Sequence, residues 1–289
     1  MKECILILGG DERQLHAAKN FLANGFDTQI YGFSKAEETQ ISNLRKADSL
    51  EAGIKKADII VLPMPVSKNG EYLNAPLNCA LISLEDINSL LTPSKKIYGG
   101  MISVGAFTKS NFVNDYSKME MLTVKNAALT AEGTIGMMIS SSSFGIYGSK
   151  VLITGYGRIG KILADYVKSL GGIPVVTARK DKDYAWCDFL GIKHIGYEDL
   201  KSEAAECEFL INTVPHKVVT EDVISALNSS CVVIDLASSP GGCDFEALEK
   251  RKIKHFHALG IPGKFSPKTA GELISSVIIG REKGLKTNG

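Results

Sequence analysis

Residues 151–160 read Val-Leu-Ile-Thr-Gly-Tyr-Gly-Arg-Ile-Gly, a short apolar run that opens into Gly155-x-Gly157-x-x-Gly160. A helical stripe follows at once, with Ile159, Ile162, Leu163, Tyr166, Val167 and Leu170 on one face and Gly171-Gly172 as the stop. A bare glycine triplet of this spacing says little. Between a buried strand and an amphipathic helix it predicts a dinucleotide-binding turn, because each glycine then has a steric task. Gly155 makes the tight turn, Gly157 lets backbone N–H groups reach a pyrophosphate, and Gly160 lets the helix pack close to the strand. The helix N-terminus supplies partial positive charge for the phosphates. Tyr156, Arg158 and Ile159 belong to the same expected cradle.

The next strand speaks to the cofactor. Val175-Val176-Thr177-Ala178 runs into Arg179-Lys180, nineteen residues beyond Gly160. An Asp or Glu there would hydrogen-bond the ribose 2′-OH of NAD, whereas two cations suit the 2′-phosphate of NADP. NADP is therefore the expected cofactor, with NAD as the alternative. In open α/β sheets ligands sit outside the carboxyl ends of the strands. Strand 207–212 ends in Asn212-Thr213-Val214-Pro215, suited to line the nicotinamide ribose and ring. Strand 231–236 ends in Asp235-Leu236-Ala237-Ser238-Ser239-Pro240-Gly241-Gly242, a shaped loop that places Ala237 at the cofactor ahead of a helix beginning near Asp244. Strand 255–259 is followed by Gly260–Gly271, where Pro267 opens a terminal helix and Lys268 and Thr269 offer donors.

The first half repeats the strand–helix alternation. Strands are expected at Cys4–Leu8, Thr28–Phe33, Asp58–Leu62, Lys96–Tyr98 and Met119–Val124, with a helix over Gln14–Leu22. Short apolar strands separated by helices predict parallel sheets with both faces covered. The fold class is α/β: two Rossmann-like, doubly wound parallel-sheet domains joined by a long interdomain helix, in a dehydrogenase-like plan. The expected boundaries are 1–127 for a substrate domain, 128–147 for the interdomain helix and 148–268 for the NAD(P)-binding domain. Residues 269–289 form a terminal helix crossing back to the first domain. Gly9-Gly10-Asp11 opens a helix but lacks the full glycine fingerprint, so this half is expected to hold substrate.

Composition narrows the partners. At 44% hydrophobic, 22% charged and net charge +1, the 289-residue chain has no electrostatic signature for nucleic acid or a membrane surface. No apolar stretch reaches membrane-spanning length, and the N-terminus passes directly into a strand without signal-peptide regions, so a cytoplasmic location is expected. The six cysteines show no C-x-x-C, and no His stands at metal-ligand spacing; no metal site is expected, and Cys4, Cys207 and Cys231, in or beside apolar strand runs, read as reduced and buried.

Gly9-Gly10-Asp11-x-Arg13-Gln14, Ala131-Glu132-Gly133-Thr134-Ile135, the 155–160 turn, Asp235-Leu236-Ala237-Ser238-x-Pro240-Gly241-Gly242-x-Asp244 and Pro262-Gly263-x-x-x-Pro267-Lys268-Thr269-Ala270-Gly271 form a more specific set. Together they resemble the A-subunit family of dipicolinate synthases from endospore-forming bacteria, essentially end to end. The resemblance implies NAD(P)-dependent oxidation of dihydrodipicolinate, or its hydroxy-tetrahydro precursor, to pyridine-2,6-dicarboxylate. It also implies action in the mother-cell cytoplasm during sporulation, together with a flavoprotein-like B subunit; a homo-oligomer is expected as well.

Such a reaction removes a hydride and a proton, and needs two carboxylates held. The expected substrate-side groups are Gly10, Asp11, Arg13, Gly133, Thr134, Lys268 and Thr269, with Arg13 as a bidentate carboxylate clamp. Lys268, Glu132 and His216 are the candidate proton acceptors. Glu132 stands out as the single charge in a long uncharged stretch, whereas Met137 and Met138 read as packing, as do His16, His194, His255 and His257. Two other readings stay open: a 2-hydroxyacid or shikimate-type NADP dehydrogenase, and a non-catalytic NADP-binding protein that supports a partner enzyme. The absence of His from Gly260–Gly271 counts against the hydroxyacid type.

Overall fold

The computed structural model describes residues 2–284. The chain forms two compact units, Met1–Asn126 together with Ser266–Gly289, and Ala127–Phe265. The first contains β1 (Cys4–Leu8), α1 (Glu12–Ala23), β2 (Asp27–Tyr31), α2 (Glu38–Ile41), β3 (Arg45–Lys46), α3 (Leu50–Lys56), β4 (Ile59–Val61), α4 (Leu84–Leu90), β5 (Lys96–Gly99) and β6 (Phe112–Asp115). Helix α5 (Glu120–Ser141) carries the chain across the boundary at Asn126. The second unit contains β7 (Lys150–Thr154), α6 (Arg158–Ser169), β8 (Ile173–Thr177), α7 (Asp181–Leu190), β9 (Lys193–Ile195), α8 (Leu200–Ala204), β10 (Phe209–Asn212), α9 (Glu221–Ala226), β11 (Val232–Asp235), α10 (Phe245–Lys250), β12 (Lys254–His257) and α11 (Ile261–Phe265). Helix α12 (Pro267–Glu282) belongs to the first unit; the last five residues of the expected terminal segment, 285–289, lie outside the described residues.

Each unit holds one six-stranded sheet, ordered β3-β2-β1-β4-β5-β6 and β12-β11-β10-β7-β8-β9. Every strand pairing is parallel. Both orders are the doubly wound 3-2-1-4-5-6 pattern, so each sheet reverses direction of build at one crevice, between β1 and β4 or between β7 and β10. The central strands are buried along their whole length (Cys4–Leu8, Ile59–Val61, Phe209–Asn212, Val232–Asp235), as continuous apolar runs covered on both faces require.

In the first unit Leu15, Ala18 and Phe21 of α1 pack with Ile274, Val277 and Ile278 of α12 into the same core. Burying each of these larger side chains contributes roughly 1.5–3 kcal/mol. The two helices touch closely at Gly271, where an added Cβ would lie 2.2 Å from the Arg13 carbonyl oxygen and 2.8 Å from the His16 Cβ. Asn20 donates to the Ser275 hydroxyl at 2.7 Å, and further along the Tyr98 hydroxyl donates to Glu282 at 2.5 Å while Lys96 pairs with the same carboxylate. The Glu282 hydrogen bond raises the Lys96 pKa. Gly271→Ala is expected to force the helices apart and cost about 1–3 kcal/mol, as overpacking of a tight contact does. Urea unfolding of the variant checks this; an unchanged midpoint would mean that the crossing relaxes freely.

One expected strand is corrected. Residues 119–124 lead into and begin α5, and the last strand of the first sheet is Phe112–Asp115. As an edge strand with Phe112 and Val113 partly in solvent, it carries only a two-residue apolar signal. Met119 and Leu122, three apart, follow the helical period instead. The helix expected over 128–147 starts at Glu120 and ends at Ser141.

Candidate functional site

At the carboxyl end of β7 the chain turns through Gly155 at φ +92°, a left-handed conformation that a side chain would strain. The Gly155 N–H donates to the buried Thr177 hydroxyl at 2.9 Å, which ties the turn to β8. Gly157 is the N-cap of α6 and makes no side-chain cap. A Cβ built on Gly157 meets nothing within 4 Å, whereas one on Gly160 would lie 2.2 Å from the Gly155 carbonyl oxygen. The turn is thus closed beneath and open in front, as an anion-holding cradle requires. Tyr156 is turned into the core rather than toward the cradle, and burial pushes its phenol pKa up. Lys161 lies 5.1 Å over the Tyr156 ring and pairs with Asp183 at 3.2 Å.

The neighbouring strand ends form one buried polar network. Thr154 donates to the Asn212 side-chain oxygen, and the Asn212 amide donates to Asp235 at 2.7 Å. Asp235 is fully buried and also accepts the N–H groups of Ala237 (2.9 Å), Gly242 (2.7 Å) and Cys243 (3.1 Å). The loop after β11 is therefore pinned from inside. His257 donates from Nε2 to the Ala237 carbonyl at 3.0 Å, since a carbonyl can only accept. Thr213 closes the front edge by donating its hydroxyl to the Thr154 carbonyl at 2.7 Å. Arg179 and Lys180 leave the end of β8 into solvent.

The first unit has the same topology but a different crevice. Asp11 caps α1 and shares a capping box with Gln14, so the helix N-terminus already carries its own carboxylate. A Cβ on Gly9 would meet Leu73 at 2.6 Å and Ala75 at 3.1 Å, and one on Gly32 would meet Ile82 at 2.9 Å. Side chains from the segment between β4 and α4 thus fill the space over the end of β1. The Gly155 position is as crowded, a Cβ there meeting Thr213 at 2.7 Å and Val214 at 2.8 Å, so the two crevices differ at the helix N-cap, a carboxylate at Asp11 and a bare glycine at Gly157.

Several expected site residues stand elsewhere than anticipated. Arg13 is 7% exposed; its Nε and Nη2 donate to Asp11 at 2.8–3.2 Å and Nη2 also to the Met64 carbonyl at 2.8 Å. Burial opposes its charge, but the Asp11 hydrogen bond and charge outweigh that and raise its pKa. The guanidinium fork expected to hold a substrate carboxylate engages Asp11, two residues away. Gly133 lies under Ile261 and Phe265, with a Cβ 2.2 Å from the Ile261 Cγ2, and Thr134 is fully buried and donates to the Thr130 carbonyl at 2.7 Å. Both, expected on the substrate side, take part in the packing of α5. Gly10 takes φ +106° over the Gln14 side chain. Glu132 and His216 are exposed in the second unit, and Lys268 and Thr269 are exposed at the start of α12 in the first. Asp235 was legible only as part of a motif; its carboxylate in a strand-end run of Ser, Pro and Gly was the signal for an inward anchor. Tyr197, whose ring lies against Arg179, carried no sequence signal.

Comparison with known proteins bears on the whole chain. The family model for the N-terminal domain of the dipicolinate synthase A subunit matches residues 4–106. The A subunit of dipicolinate synthase from Bacillus subtilis (strain 168) is 28% identical over 280 residues, 95% of this chain and 94% of that protein. The crystal structure of the corresponding A subunit from Bacillus halodurans matches with a TM-score of 0.86 at 29% identity, covering 96% of each chain. The crystal structure of the Bacillus subtilis dipicolinate synthase A chain matches with a TM-score of 0.85 at 26% identity, covering 100% of this chain and 98% of that one.

Proposed function

For a chain that belongs to the A-subunit family of dipicolinate synthases, we propose an NADP-dependent oxidation of dihydrodipicolinate, or its hydroxy-tetrahydro precursor, to pyridine-2,6-dicarboxylate. The observation that carries the nucleotide assignment is the contrast between the two crevices. Gly157 faces open space at the N-cap of α6 and makes no side-chain cap, while α1 is capped by the Asp11 carboxylate. Phosphates belong on the open one. The 155–160 turn would hold the pyrophosphate, with Thr177, Ala178, Arg179 and Lys180 on the adenosine ribose and Asn212, Thr213, Val214, Pro215 and Ala237 along the nicotinamide half.

When bound, the oxidised nicotinamide supplies a hydride acceptor. The chain's own residues must hold a dianion and take one proton. Arg13, paired with Asp11, is assigned to one carboxylate, and Lys268, Thr269 and the N–H groups opening α12, whose N-cap Ser266 makes no side-chain cap, to the other. Lys268 and Glu132 rank first as proton acceptors, followed by His216; all three are exposed. A flavoprotein-like partner is part of the reading, as is a homo-oligomer. Among the described residues no helix is long and apolar enough to cross a membrane, and no group of three or more His, Cys, Asp or Glu residues could hold a metal ion. A mother-cell cytoplasmic site of action accords with this reading.

Purified protein given freshly generated precursor and NADP, with and without the flavoprotein-like partner, tests the reaction through the ultraviolet absorbance of dipicolinate. No product under either condition would overturn it. Replacing Arg179 and Lys180 together with Ala is expected to weaken NADP by about tenfold to a hundredfold, since charge-assisted hydrogen bonds contribute about 1.5–3 kcal/mol, and to leave NAD nearly unchanged. Titration with both nucleotides reads this; equal losses would place the 2′-phosphate elsewhere.

A further inference from the structure

We propose that Tyr197 is a positioning residue for nucleotide selectivity, holding Arg179 at the ribose edge without neutralising it; the inference rests on the NADP reading above. Strands β8 and β9 run parallel with Thr177 opposite Ile195, and the Ala178 N–H donates to the Ile195 carbonyl at 3.3 Å. Two residues further on, the same register sets Arg179 beside Tyr197. The guanidinium carbon lies 5.6 Å from the centre of the Tyr197 ring.

The surrounding backbone is held independently. The Tyr184 hydroxyl donates to the Ala178 carbonyl at 3.0 Å, and the Tyr184 ring stacks on His194 at 4.7 Å. Thr177 and Ala178 are buried. The strand end is therefore fixed, and the freedom left to be restrained is that of the long Arg179 side chain. A carboxylate partner would restrain it but would compete with the phosphate for the same donors. An aromatic face restrains a guanidinium while leaving its charge available. Among the described residues no ion pair engages Arg179, whereas Lys161 in the same unit is paired with Asp183 at 3.2 Å. The two cations thus have different duties: Lys161 ties α6 to α7, and Arg179 is kept in reserve on a ring.

The test uses the full chain and titrates NADP and NAD separately against wild type, Tyr197→Leu and Tyr197→Phe. Tyr197→Leu is expected to bind NADP roughly twofold to fivefold more weakly, the span of an exposed cation–π contact, with NAD unchanged. Tyr197→Phe keeps the ring face and is expected to match wild type. Should Tyr197→Leu fail to fold, Tyr197→Met offers similar bulk without a ring. Wild-type protein that binds NADP no more tightly than NAD overturns the cofactor reading and this inference with it. A wild-type preference for NADP that survives undiminished in Tyr197→Leu overturns the inference alone. Equal weakening of both nucleotides also overturns it, because a purely structural role would act on both.

Discussion

Asp235→Ala is expected to destabilise the second unit by about 3–5 kcal/mol, a loss seen when a buried hydrogen-bond network is broken. The carboxylate accepts from Asn212, Ala237, Gly242 and Cys243, all within 3.1 Å, and is fully buried. Truncation leaves four donors facing a void. Each unsatisfied buried donor costs about 1–3 kcal/mol, and water entering the void recovers part of the sum. Asp235→Asn should cost less, because one oxygen remains to accept, though its amide now opposes backbone N–H groups. Denaturant unfolding of both variants checks the ordering. A loss below about 1 kcal/mol for Asp235→Ala would mean that the loop after β11 is held by something other than this carboxylate.

A second large effect separates two glycines of one motif. Gly160→Ala brings a Cβ to 2.2 Å from the Gly155 carbonyl oxygen, a backbone atom that cannot swing away. The helix must lift off the strand, which is expected to cost about 1–3 kcal/mol or more and to abolish measurable binding of the proposed nucleotide. Gly157→Ala behaves differently. Its Cβ meets no protein atom and its φ of −79° suits any residue, so stability should change by no more than about 1 kcal/mol. Nucleotide binding should still fall steeply, because the methyl occupies the space through which the phosphates approach. Thermal melts without nucleotide, paired with NADP titrations, read both quantities. Gly157→Ala with undiminished NADP affinity would remove the phosphate from this turn.

The legibility of the site followed from how each residue acts. The glycine turn acts through backbone shape within six residues, and a local pattern suffices to show it. The place of Arg179, exposed just past the end of β8, was legible from its set distance after the turn. What the Arg13 guanidinium meets was not legible, because proximity to a helix start says nothing of its partners; they are Asp11 and the Met64 carbonyl. Gly133 and Thr134 stood in a specific motif, yet the motif records the packing of α5 beneath Ile261 and Phe265. Leu170 fits the apolar stripe of α6 by spacing but is the C-cap residue and half in solvent.

Periodicity and glycine spacing alone determined that this chain builds two parallel sheets and that the later one carries an open-mouthed turn before a helix, because those are consequences of local sterics and of covering both faces of a strand. Only the tertiary structure decided that Leu73, Ala75 and Ile82 pack against the glycines after β1 and β2, that Arg13 pairs with Asp11, and that Asp235 anchors its loop from within. Each of these joins residues distant along the chain or turns on where a side chain points, and neither distance in space nor direction is written in a linear pattern.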